Sequence, residues 1–445
     1  MSAVQAVNIG YSPRHAAPAS HGWPVSSGMR LRGAVGVACA IALLGSGVSV
    51  AVLRAGHDPV RDCAHGQHGT GCNSTRAAPG VRPDRPELQV RIDSGAQFRL
   101  HGPTAVAVVD GHLWITNSLG DSVTELGWRA GSQPIVWSAA SYGFRGPSAI
   151  TGGHGRLWVA NASANSITEM SSITGSVIRT IGGRSRLGRP YALARSGSRV
   201  WVANAASNSI TEINAITGDL TVLLRGRRYG FENPYAVAVS HGRLWVANAG
   251  GDSVTELNAT TGAWIATLSG RRFGFSNPVS EVAGSTRLWI GSETGNSITE
   301  IDTVTGKLVR VLAGAHYGFA DPAALALVGG QLWVVNSAGD SVAEIDIPTG
   351  DLIRFLAGSR YGFTDPTGIV AYHGRIWVTN LGGNSVTELL GVGASGPRGL
   401  TRSAPARLAA GRFGLIWLTA DRPTTHPGAA GSAWPASRQA PAARR

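Results

Sequence analysis

Arg243-Leu244-Trp245-Val246-Ala247-Asn248-Ala249-Gly250-Gly251-Asp252-Ser253-Val254-Thr255-Glu256-Leu257 carries the pattern that decides the fold. Two short apolar and β-branched runs flank a loop of small and turn-forming residues, which reads as a pair of antiparallel strands. The same text returns along the chain. Its Trp recurs at 114, 158, 201, 245, 289, 333 and 377, in steps of 43 or 44 residues. A Glu follows each Trp eleven residues later, at 125, 169, 212, 256, 300, 344 and 388. Asp/Asn-Ser-Val/Ile-Thr stands just before each Glu, with Ala343 the one exception at Thr.

Each unit contains four short runs, in the fourth unit Tyr235–Val239, Leu244–Ala247, Ser253–Leu257 and Ala263–Leu268. His241-Gly242, Ala249-Gly250-Gly251 and Thr261-Gly262 separate them. Four strands in about 44 residues matches a propeller blade, and no unit has the 3.6-residue periodicity of a helical repeat. The last unit stops after three strands. An orphan run, Leu88-Gln89-Val90-Arg91-Ile92, aligns with the fourth strand Leu352-Ile353-Arg354-Phe355-Leu356. The expected fold is therefore all-β, a seven-bladed propeller over 88–390 whose N-terminal strand completes the last blade and removes the open edge.

Outside that span, residues 1–28 are polar and unpatterned and read as disordered or as an over-extended start. Residues 29–54 hold an uncharged stretch, Gly33 to Leu53, flanked by Arg30, Arg32 and Arg54. That length suits a cleaved signal peptide or an N-terminal membrane anchor, and either places the propeller outside the cytoplasm. Residues 55–87 form a linker. Its Cys63 and Cys72 read as a disulfide in an exported chain, with a metal held by them and by His65 and His68 as the alternative. Residues 391–445, rich in Ala, Pro, Gly and Arg, read as a disordered basic tail.

The formal net charge of +13 suggests nucleic acid, but its distribution excludes that class. Residues 1–87 carry +4, residues 391–445 carry +7, and the propeller only +2. A nucleic-acid-binding fold needs a basic face of its own.

The units resemble the NHL and YVTN-type propeller repeats of bacterial surface proteins. Leu-Trp-Val-Ala-Asn, Asn208-Ser209-Ile210-Thr211-Glu212 and the Thr-Gly turn carry that resemblance. It implies a binding platform, a sensor or, in some members, an enzyme. A more distant likeness, to streptogramin lyase, implies a metal-assisted site at the channel mouth, and none of that family's His and acidic positions is matched here.

Residues present in all seven units are expected to serve the blade: Trp as filler between sheets, turn Asn/Asp bonding the local backbone, Glu and Thr in repeated polar bonds. His112, His154, His241 and His373 belong to the turn before the Trp strand, opposite the expected ligand face. Two features stand out. The inter-blade loops, expected on the same face as the loop after the Trp strand, combine Arg with Tyr-Gly-Phe. Their candidate ligand residues are Arg227, Arg228, Tyr229, Arg271, Arg272, Phe273, Tyr317, Arg360 and Tyr361, suited to a protein, a peptide or an anionic glycan. The competing reading makes Tyr-Gly-Phe a packing plug and leaves the arginines as the better ligand groups. The second feature is blade five, where Glu281 replaces an aliphatic and Glu293 ends Gly291-Ser292-Glu293. These carboxylates are candidates for a divalent cation or for acid–base work. No cofactor is otherwise expected, and the propeller should be monomeric.

Overall fold

In a computed structural model, residues 87–127, 133–182 and 186–392 are described. The candidate signal or anchor segment, the Cys63/Cys72 pair and the basic tail beyond Val392 lie outside them. Among the described residues no helix is long and apolar enough to cross a membrane.

Among the described residues, twenty-eight strands form seven separate four-stranded sheets. Six of these sheets run antiparallel from an inner strand outward in sequence order. Blade four, for example, is Pro234–Ser240, Arg243–Asn248, Ser253–Asn258 and Trp264–Ser269. Blade seven is made from both ends of the domain. Pro366–Tyr372, Arg375–Asn380 and Ser385–Leu390 are joined on the outside by Gln89–Asp93, with Gln89 opposite Leu390 and Asp93 opposite Val386. Inner strands of successive blades touch, and blade seven's inner strand touches that of blade one. The ring of seven with its N-terminal closing strand is thus as the repeat count and the orphan run imply.

Why the sheets pack follows from the Trp column. All seven indoles are buried. Each lies against the next blade: Trp201 clusters with Val237 and Val246, Trp245 with Leu288 and Ile290, and Trp377 with Val106 and Ile115 across the closure. Pro opens every inner strand, a position where its missing N–H costs no ladder bond.

The repeated polar residues are structural, but their partners differ from the sequence expectation. The turn Asn/Asp does not bond its own turn. It sits at φ of 44–53° in every blade and accepts the backbone N–H of the next inter-blade loop. These seven contacts measure 2.6–2.8 Å, including Gly102 N–H to Asn384, which latches blade one to blade seven. Asn and Asp tolerate the left-handed region and so free the side chain to reach across the seam.

The buried Glu of each blade is held by cations rather than by strand hydroxyls. Arg375 and Arg91 hold Glu388, Arg156 and Arg179 hold Glu169, Arg287 and Arg310 hold Glu300, and Arg243 holds Glu256. In blade one the corresponding partner of Glu125 is His112, with Nδ1 2.6 Å from the carboxylate. It is the first residue of the Trp strand, in register with Arg156 and Arg243, rather than a turn residue.

Candidate functional site

The inter-blade loops and the loops after the Trp strands do open on one face. Ala249 N–H donates to Asn233 O and Gly250 N–H to Glu232 O, both at 3.1 Å, and the pattern recurs at Ala205 to Arg189 and Leu381 to Asp365.

Each Tyr-Gly-Phe is a plug. In blades four to seven the two rings stack with centroids 5.0–5.5 Å apart and planes within 6°. Phe273, Tyr317 and Tyr361 are buried, and Tyr229 is half-buried. The carbonyl of the first aromatic accepts the Thr hydroxyl of the following blade, as Thr255 to Tyr229 at 2.9 Å and Thr387 to Tyr361 at 2.7 Å. Where Ala343 replaces that Thr, the Tyr317 hydroxyl donates to Gly350 O instead, at 2.9 Å. The aromatic candidates therefore serve packing.

Three of the candidate arginines lie over these plugs. Arg228 sits 5.1 Å from the Tyr229 ring centroid, Arg272 4.7 Å from Phe273 and Arg360 4.8 Å from Tyr361. A guanidinium spread on an aromatic face keeps its N–H fork turned outward. Arg360 is paired with Glu87 at 2.9 Å. Arg227, Arg228, Arg271 and Arg272 are exposed, and none has a carboxylate partner among the described residues.

One residue escaped the sequence reading. Arg225 ends the outer strand of blade three, opposite Ser209. The same register position holds Ser269, Ala313, Ala357 and Gly182 in other blades. A comparison column by column would have found it. Arg225 and Arg227 both line a cavity of about 590 Å³ at the seam of blades three and four, with Ser207, Asn208, Gly226, Phe231, Glu232 and Ser253.

The blade-five carboxylates are not brought together. Glu281 occupies the column of Val237 and Leu325, which cluster with the Trp of the preceding blade. It is buried in the seam with blade four, and neither carboxyl oxygen makes a hydrogen bond of good geometry. Burial pushes its pKa well above the usual carboxylate range, an effect that the neighbouring Ala238 amide only partly offsets. Glu293 faces the other seam. Asn277 Nδ2 donates to its Oε2, and the Asp321 carboxyl of blade six lies beside it. Burial, followed by the charge of Asp321 and a hydrogen bond with it, raises Glu293 to about 7. A cation shared by Glu281 and Glu293 finds no support in this arrangement, and no group of three His, Cys, Asp or Glu suited to a metal occurs among the described residues.

Blade five is otherwise compensated. Gly291 stands where Ala247 stands in blade four, and a Cβ there would meet the Ser280 hydroxyl at 2.3 Å and Pro322 O at 2.8 Å. Its absence makes room for Ser280 Oγ to donate to Pro322 O at 3.0 Å.

No family model matches the chain, and no curated protein matches it. Solved structures do. Virginiamycin B lyase from Staphylococcus aureus superposes with a TM-score of 0.58 at 16% identity, over 68% of this chain and 99% of that one. The likeness is one of fold. A streptogramin B lyase gives 0.56 at 15% identity, over 67% and 97% of the two chains. Kuenenia stuttgartiensis hydrazine synthase gives 0.55 at 17%, over 66% and 97%. Propellers with different chemistries thus share this ring, so function has to be argued from the site.

Proposed function

We propose that this chain is an extracytoplasmic binding propeller, secreted or anchored through its N-terminal segment, that presents the arginines of its inter-blade face to an anionic ligand. One observation carries the reading. Arg227, Arg228, Arg271 and Arg272 are exposed and lack carboxylate partners among the described residues, and Arg228 and Arg272 are oriented by the aromatic plugs beneath them. A cation held in place but left unneutralised is suited to charge-assisted bonds with a carboxylate, sulfate or phosphate. Immobilised heparin, chondroitin sulfate and polygalacturonate provide the test. At least one should retain the protein at low salt and release it as salt rises. The double substitution Arg228→Ala with Arg272→Ala should weaken that binding by at least tenfold. Retention unchanged by the double substitution removes the role given to these residues.

A second reading, a lyase with its site at the channel mouth, draws on the fold neighbours and on Glu293, whose value of about 7 suits proton transfer. Quinupristin, present in one of the related lyase structures, is the substrate to try. Chromatography showing no conversion by the wild type, or equal conversion by Glu293→Gln, eliminates this reading.

A further inference from the structure

We propose that the seam between blades three and four binds an acidic sugar unit, with Arg225 and Arg227 taking its carboxylate. The proposal rests on the reading of this face as the ligand-bearing one, and it assigns the place and the ligand class.

The cavity of about 590 Å³ falls within the range of small-ligand pockets, typically about 300–1,000 Å³. Arg225 and Arg227 flank Gly226, whose φ of 100° turns the chain sharply between strand and one-turn 3-10 helix. A residue with a Cβ adopts that conformation rarely, so the glycine is what lets two neighbouring cations line one cavity. The seam of blades four and five has Ser269 and Arg271 at these two positions. Those of blades five and six, and of six and seven, have Ala313 with Ala315 and Ala357 with Ser359. Among these seams only that of blades three and four carries both arginines, and neither has a carboxylate partner among the described residues.

The rest of the lining selects the ligand. Glu232 is acidic where the next three inter-blade loops carry Ser276, Ala320 and Thr364. A carboxylate inside a cationic pocket disfavours a bare or multiply charged anion, but it accepts hydrogen bonds from hydroxyl groups. Ser207 and Ser253 add hydroxyls that donate or accept, and Phe231 supplies apolar surface. One carboxylate, several hydroxyls and an apolar ring face are the groups of a uronic acid residue within a glycan chain.

Titration calorimetry of the full chain with tetragalacturonate, and with maltotetraose as the uncharged control, tests this. Tetragalacturonate should bind at one site per chain and maltotetraose should not bind. Arg225→Ala should weaken binding by at least tenfold. Ser269→Arg, which reproduces the pair at the next seam, should raise the stoichiometry from one to two. Wild-type affinity retained by Arg225→Ala overturns the proposal. So does failure of the wild type to bind tetragalacturonate. In either case, loss of heparin or chondroitin sulfate binding in the Arg228→Ala, Arg272→Ala double variant leaves the broader anionic-ligand reading standing. Absence of binding to every anionic glycan removes both.

Discussion

Glu281→Leu should stabilise the propeller by about 2–4 kcal/mol at neutral pH, a gain read as a rise of several degrees in Tm. A buried polar group without a hydrogen bond costs about 1–3 kcal/mol on mutational scales, and filling the site with leucine adds apolar burial of similar size. Leu325 already occupies the same register position in blade six, so the backbone accepts it. The sign of the pH dependence follows from the protonated state. Burial raises the folded-state pKa of Glu281, so above the ordinary carboxylate range the folded protein holds a proton that the unfolded chain releases. This group's contribution to stability therefore declines as pH rises through the window between the two pKa values. Its slope is about 1.4 kcal/mol per pH unit while the difference is a full proton. Glu293, raised to about 7, contributes a decline of the same sign up to that pH. The difference between wild type and Glu281→Leu isolates the buried residue. Thermal unfolding at pH 5 and pH 8 should show a larger gain at pH 8. A variant that melts earlier than wild type, or gains equally at both pH values, refutes the assignment of Glu281 as a neutral, poorly satisfied group.

Beginning the folded chain at Ser94 should open the ring. The deletion removes Gln89–Asp93, the outer strand of blade seven, and with it the buried Leu88. A handful of ladder bonds at about 1 kcal/mol each and one leucine at about 2 kcal/mol amount to roughly 5 kcal/mol. That is comparable to the whole stability of a modest domain. Glu388 would also lose Arg91, leaving Arg375 to hold a buried carboxylate. The exposed edge of Ser385–Leu390 then becomes a template for pairing with other chains. The truncated protein should elute as oligomers in size-exclusion chromatography, and a peptide spanning residues 87–94 should restore part of the lost Tm. A monomeric truncated chain melting within 2 °C of the full one contradicts the account of closure.

The ring was legible because its determinants are periodic and local. Trp and Glu fall on fixed columns, so strand order, blade count and even the orphan strand can be read by alignment of the chain with itself. The polar ties were less legible. Asn208 bonds Asn233, 25 residues onward and across a seam, yet an Asn at such a turn looks the same whether it bonds near or far. The Glu clamps hid because their arginines come from different strands, Arg156 from the second and Arg354 from the fourth. In the candidate site the exposed arginines and their loops could be found, and a packing role for Phe273, Tyr317 and Tyr361 could be named as one of two readings, but only the stacked and buried rings decide for it. Arg225 at the end of an outer strand looks like any solvated cation until its register neighbours reveal it as the exception. That Glu281 departs from an aliphatic column was visible. That it and Glu293 face opposite seams follows only from the geometry.

The antiparallel pairing in blade seven also has a mechanical consequence. Gln89 lies opposite Leu390, so the two chain ends leave the ring at the same end of adjacent strands. Tension applied between those ends loads the pairs in series, beginning with Gln89 and Leu390 and proceeding toward Asp93 and Val386. Strands pulled in this way separate like a zip, one rung at a time, whereas strands pulled from opposite ends must shear every rung together. A propeller held by one end and tugged by the other would yield first at its closure, at low force, with the other six blades still folded.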